Sequence, residues 1–271
     1  MSNFLNIGFE VNSEEDLHNL VEHILPKSKE YTSQHGTYFC YSDPSGADVW
    51  MQVNDAYHIT GVYPHFCGNC RRQVRLASGI DRSDSAMDGA FHAWILQLED
   101  SGSEATDTTA PFVFDVPDYA MYPTLTYPYT TNVQLAAFAG DVLCFRDEAH
   151  FELSQMSEFK WASKSLVPNG LLNNGEQRAQ ESAPAATCVF AGEVVTAERR
   201  QNTLSEKYFY ALVIDTLGGK LHLVVADGVF EETPAPGNIV HGQCWLSGKL
   251  DIDYVADGSE EKKGFFSRLF G

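Results

Sequence analysis

Tyr208-Phe209-Tyr210-Ala211-Leu212-Val213-Ile214, then Asp215-Thr216-Leu217-Gly218-Gly219-Lys220, then Leu221-His222-Leu223-Val224-Val225-Ala226 is the stretch that decides the fold. Both apolar runs are rich in β-branched and aromatic residues, and Gly218-Gly219 between them is a hairpin signal. In the first run both alternating sets are apolar. Tyr208, Tyr210, Leu212 and Ile214 form one set; Phe209, Ala211 and Val213 form the other. A strand apolar on both faces is buried on both faces. This hairpin is therefore expected to pack against the N-terminal region as well as within its own sheet.

Working outward, Cys188–Ala197 reads as a strand before the hairpin. Ile239–Leu246 and Lys249–Tyr254 read as two more after the break at Pro234-Ala235-Pro236-Gly237. Five strands with this rhythm resemble a small OB-like barrel or sandwich spanning 187–255. Two prolines in 227–238 oppose the helix that usually joins the third and fourth strands of such a barrel. The stretch before it, rich in Gln, Glu and Ala, reads as a linker at 176–186. The predicted organisation is a β-rich N-terminal region 1–175 with one early helix, the linker, the 187–255 unit, and a linker with an amphipathic tail at 256–271.

The early helix has a cap at Ser13, an acid at Asp16, and Leu17, Leu20, Val21 and Ile24 at helical spacing; Pro26 ends it. Strands follow. Thr37–Ser42 and Ala47–Val53 flank the turn Asp43-Pro44-Ser45-Gly46, and Tyr57–Phe66 and Arg71–Ala77 flank residues 67–70. Ala90–Leu98, Pro111–Val116 and Val133–Phe145 continue the pattern, with polar loops at 81–89 and 100–110. Residues 151–173 fit helix or irregular structure equally. The fold class is mainly β, an α+β chain with few helices and antiparallel sheets.

The chain of 271 residues is 44% hydrophobic and 12% aromatic, enough for a sizeable core. Its 37 acidic residues outnumber 18 basic ones, giving a net charge of −19. Such a charge makes DNA, RNA and anionic lipid poor partners and steers in a basic protein. The start, Met1-Ser2-Asn3-Phe4, carries no secretory signal pattern. No apolar run approaches the roughly 20 residues that span a bilayer. Most of the six cysteines are isolated in apolar runs, a usage that suits a reducing cytoplasm.

Candidate chemistry is sparse. Cys67-Gly68-Asn69-Cys70 is the single Cys-x-x-Cys. Read as a hairpin turn it pairs His65 with Arg72 and puts His65, Cys67 and Cys70 on one face. Three such ligands suit zinc, but a structural site needs a fourth, and no second Cys pair exists. A plain turn with incidental thiols is the simpler reading; a redox pair is disfavoured because a strand, not a helix, follows. Asp147-Glu148-Ala149-His150 spells a helicase tetrapeptide, yet no phosphate-binding loop accompanies it. Asp251 and Asp253 share a face at the end of a strand, where solvated acids are ordinary. Asp88, His65 and His92 are candidates to converge in a cleft. In the tail, Phe265, Phe266, Leu269 and Phe270 fall on one face of a short helix beside Lys262, Lys263 and Arg268. They suit self-docking or a partner groove.

Tyr63-Pro64-His65-Phe66, Phe112-Val113-Phe114-Asp115-Val116-Pro117-Asp118-Tyr119, Lys164-Ser165-Leu166-Val167-Pro168-Asn169-Gly170 and Cys244-Trp245-Leu246-Ser247-Gly248 resemble stretches of a family of uncharacterised bacterial proteins. The resemblance implies a bacterial cytosolic origin and transfers no catalytic residue.

The leading expectation is an acidic cytoplasmic protein-binding module, of the inhibitor, immunity or adaptor kind, without a catalytic constellation. The alternative is a metal-dependent enzyme or binder using His65, Cys67 and Cys70, with His92. A third reading, single-stranded nucleic-acid binding by the C-terminal unit, requires a basic stripe of Arg199, Arg200, Lys207, Lys220 and Lys249, with Tyr208, Tyr210 or Trp245 as stacking platforms.

Overall fold

The computed structural model describes residues 2–82, 85–97, 106–107, 111–157, 160–169 and 184–255. The chain opens with a 3-10 turn, Asn3–Ile7, and helix α1, Glu14–Ile24. The expected cap is in place. Ser13 Oγ accepts from the Asp16 backbone N–H at 3.1 Å, and the Asp16 carboxylate accepts from the Asn12 N–H at 3.0 Å. Two orphan donors near the helix start are thus satisfied reciprocally. Strands β1 (Lys29–Ser33), β2 (Gly36–Ser42), β3 (Ala47–Val53) and β4 (Ile59–Phe66) form an antiparallel meander in that order.

The remaining strands are β5 (Arg72–Asp81), β6 (Gly89–Gln97), β7 (Thr106–Asp107), β8 (Phe112–Val116), β9 (Tyr129–Phe145), β10 (Ser165–Pro168), β11 (Thr187–Gln201), β12 (Tyr208–Thr216), β13 (Gly219–Ala226) and β14 (Ile239–Leu250). Helix α2, Glu148–Ser154, lies between β9 and β10. The fold is mainly β with antiparallel pairing dominant, as the sequence patterns predict.

The pairings close two rings. β11 pairs with β12, β12 with β13, β13 with β9 in parallel, β9 with β14, and β14 back with β11. β5 pairs with β6, β6 with β8, β8 with β14 in parallel, β14 with β9, and β9 back with β5. The long strands β9 and β14 are common to both. Each ring follows one plan: three antiparallel strands, whose third runs parallel to the long strand that follows the other trio. β5, β6, β8 and β9 thus repeat β11, β12, β13 and β14. The barrel expected within 187–255 is present as a ring, but it takes β9, from residues 129–145, as its fifth strand.

Two local expectations are corrected. Residues 239–250 form one strand, not two, because Ser247-Gly248 does not turn. Ser247 pairs with Ala136 and Gly248 with Leu135 in an unbroken ladder. A Cβ at Gly248 would lie 2.4 Å from the Phe114 ring, so glycine here serves close packing. Residues 67–70 are not a hairpin turn. β4 pairs with β3 and sets His65 opposite Asp48, while β5 leaves to pair with β6 and β9. The segment carries the chain from the meander to the ring of β5, β6 and β8, the first ring in chain order.

The ring interiors form one apolar core, including Leu76, Phe91, Phe114, Leu135, Phe190, Leu212, Leu223 and Leu246. The doubly apolar strand is buried on both faces from Phe209 onward, while Tyr208 at its start is 39% exposed, against expectation. Tyr210, Leu212 and Ile214 of β12 face that core, while Phe209 and Ala211 face a second core with α1, β2 and β3. Most of the expected linker and the whole 256–271 tail, with Phe265, Phe266, Leu269 and Phe270, lie outside the described residues.

Candidate functional site

Where the meander lies on the first ring the seam is polar, and it contains His65. This histidine is fully buried. The Gln134 amide nitrogen donates to the Phe66 carbonyl at 3.0 Å, which turns Gln134 Oε1 toward His65 Nε2 at 2.8 Å. Nε2 therefore carries the proton, and Nδ1 accepts from the Ser247 hydroxyl at 2.8 Å. Burial, helped by the Lys249 charge, pulls the His65 pKa down to about 3. The ring is neutral, and its one lone pair, on Nδ1, is taken up by the Ser247 hydroxyl, so none is free for a metal.

Cys67 and Cys70 lie on the crossing that His222 of β13 holds in place. His222 Nε2 accepts from the backbone N–H groups of Asn69 at 3.1 Å and Cys70 at 3.4 Å. Burial lowers the His222 pKa to about 4, consistent with that acceptor role. Burial raises both cysteine pKa values, so neither thiol is activated as a thiolate. Among the described residues no group of three or more His, Cys, Asp or Glu side chains is placed to hold a metal ion.

Deeper in the seam, Asp118 is fully buried after β8. Its Oδ2 accepts from the hydroxyls of Tyr254 at 2.6 Å and Tyr122 at 3.2 Å, with Lys249 Nζ 3.6 Å away. Lys249 Nζ also sits 4.6 Å from the centroid of Trp50, which stacks on Tyr31 and meets Tyr38 edge-on. Burial works against the charge on Lys249, but Asp118, Cys40 and Asp48 outweigh it, and its pKa rises. Burial raises Asp118, opposed by Lys249 and the two tyrosines. It lifts Asp48, on β3, to about 6. One cation thus serves two buried carboxyl groups. Above it opens a hollow of ≈ 500 Å³ lined by Cys67, Arg71, Gln134, Asp251, Asp253 and Tyr254. Sequence reasoning named His65 and Cys67 here but missed Asp118, Asp48 and Lys249, which lie far apart in the chain.

The other early candidates disperse. Asp88 accepts from Tyr63 at 2.9 Å, while His92 sits on β6 between Ser78 and Val113. Asp147 caps α2 by accepting from the His150 N–H at 2.7 Å, a structural use of the helicase-like tetrapeptide. Members of the basic stripe are matched with acids: Arg199 with Asp227, Arg200 with Glu198, Lys207 with Glu10, and Lys249 with Asp118. Arg199 also covers the Tyr208 ring at 3.9 Å, and Tyr210 is buried in the core.

A second concavity lies at the far end of β9 and β14. It is a groove of ≈ 460 Å³ between the end of β9, the start of α2 and the loop after β13. Val142, Leu143, Val229 and Phe230 give it apolar walls; Glu231 and Glu232 rim it. Leu143 is 64% exposed. Arg146 and His150 also line it, but Arg146 is paired with Asp147 at 3.0 Å.

No family model, no curated protein and no solved structure matches this chain.

Proposed function

We propose that this chain is a protein-binding module of the inhibitor, immunity or adaptor kind, which takes a basic partner segment with an apolar anchor in the groove beside α2. The observation that carries this reading is the acid-rimmed apolar groove, with exposed Leu143, on a chain of net charge −19. Large exposed apolar side chains beside like-charged acids are the composition of a docking surface that steers by charge and holds by burial. The polar seam is a weaker candidate for chemistry: its histidine is neutral and doubly bonded, and its thiols are protonated.

The test uses fluorescence anisotropy with labelled amphipathic peptides of lysine and leucine, and matched peptides of glutamate and leucine. The basic peptides should bind at low salt and weaken several-fold as salt is raised. Leu143→Asp and the pair Glu231→Lys with Glu232→Lys should each remove most of that binding while leaving the circular dichroism spectrum unchanged. Equal binding of acidic and basic peptides, or full binding by Leu143→Asp, would sink the reading.

A further inference from the structure

On the first ring, away from the groove, lies a cleft of ≈ 560 Å³ lined by Asp81, Phe91, Tyr119, Tyr122, Leu125 and Tyr127 among others. Its construction is specific. A Cβ at Gly89 would meet the Tyr119 ring at 2.3 Å, so the ring lies directly on the strand backbone. Tyr119 packs against Phe91 with ring centroids 5.3 Å apart. The hydroxyls of Tyr119 and Tyr127 converge over Gly79, lying 2.5 and 2.9 Å from where its Cβ would stand. The Asp81 carboxylate faces the Tyr119 hydroxyl closely enough to raise its pKa. Among the described lining residues there is no lysine or arginine. Tyr127 is 37% exposed, so its ring is open to a ligand.

From these features we infer that the cleft is a binding site for an alkylammonium cation, of the trimethylammonium type. Aromatic faces carry negative quadrupole potential, and a cation over them gains most where water is partly excluded. The two phenol oxygens and the Asp81 carboxylate add negative potential on one side. Leu125 and the buried rings of Phe91 and Tyr122 supply apolar contact for methyl groups. Burial and the negative field of Tyr127 and Asp81 push the Tyr119 pKa up to about 12, so the phenol stays neutral as a cation enters. The inference does not depend on the groove: the two sites share no lining residue.

The test is a titration of the full chain with tetramethylammonium chloride, followed by tyrosine fluorescence or NMR, against tert-butanol as an apolar uncharged control. The cation should bind and the alcohol should not. Tyr127→Phe keeps the ring but loses one phenol oxygen and should weaken binding only slightly; Tyr127→Ala should weaken it about tenfold. Asp81→Asn should weaken it several-fold. A peptide carrying trimethyllysine that binds more tightly than the free ion assigns the cation to a protein side chain; equal binding assigns it to a small solute. Binding of tert-butanol as strong as that of the cation would overturn the inference, as would an unchanged affinity in Tyr127→Ala. Neither outcome touches the peptide experiment at the groove.

Discussion

The two rings follow the same strand plan, yet the meander of β1 to β4 meets them through different chemistries. Over the β11–β13 ring the seam is apolar: Phe209, Ala211, Val224, Ala136 and Phe138 pack with Phe39, Val49, Met51 and Phe66. Over the β5–β8 ring it is mixed: Tyr38, Cys40 and Trp50 pack with Met87 and Met121, beside a polar layer in which His65, Ser247 and Gln134 share hydrogen bonds and Asp48, Asp118 and Lys249 share charge. An apolar seam is non-directional and gains stability with area. A buried polar seam fixes one arrangement, because each unmatched group is penalised. The pair of seams therefore separates adhesion over one ring from registration over the other.

The sharpest break of that comparison is Phe209→Ala. Phe209 is fully buried and meets Phe66 edge-on at 6.1 Å. Its loss should destabilise the fold by about 3–5 kcal/mol. Gln73→Ala on β5, at a partly exposed position, should change stability by less than about 0.5 kcal/mol. Urea unfolding midpoints compare the two, and equal effects would remove the asymmetry.

Next in size is Lys249→Met. It leaves Asp118 buried without its cation and should cost about 3 kcal/mol, the low end for breaking a buried pair because the lysine is partly exposed. The double variant Lys249→Met with Asp118→Asn should recover part of that loss. No recovery would mean that the lysine acts through its packing on Trp50 instead.

The polar seam also has a pH signature. Asp48 titrates from its ordinary 3.8 up to about 6 in the fold, so between those values the native state holds the extra proton. Its contribution is then lost as pH rises from about 4 to 6. His65 and His222, lowered to about 3 and about 4, act in the opposite direction: they favour the fold above the ordinary histidine value of 6.5 and lose that effect as pH falls. Asp48→Asn should gain about 2–3 kcal/mol relative to the native chain between pH 4 and pH 7. A difference between the two proteins that does not change with pH would remove Asp48 as the titrating group. A small effect is also expected at the exposed Arg199–Asp227 pair, 2.8 Å apart on the β11–β13 ring. Asp227→Asn should change stability by less than about 1 kcal/mol and less still in salt. A larger loss would mean that this ring also leans on charge.

Much of the local structure was legible. Ser13 and Asp16 announced the cap of α1, Asp43-Pro44-Ser45-Gly46 the β2–β3 turn, and Gly218-Gly219 the β12–β13 hairpin. Each depends on neighbours in sequence. The Cys67–Cys70 segment misled because a Gly-Asn pair between two strands has the form of a hairpin turn. What holds it is His222, some 150 residues away, which no local pattern reveals. The polar seam was illegible for the same reason. Asp48, Asp118 and Lys249 each read as a surface charge until the strands bring them under one roof. Asp81 and Tyr119 carried no signal either, since lone acids and tyrosines recur throughout the chain.

The sequence by itself determined that β12 is apolar on both faces, that the chain is mainly β, and that it carries a net charge of −19. Alternation and composition are properties of the chain alone, and they suffice for those conclusions. Only the tertiary structure decided that β9 and β14 belong to two rings at once, and that the second trio of strands repeats the first. A long strand's pattern records that each segment of it is buried. It does not record which neighbour does the burying, because backbone hydrogen bonds are alike on every strand.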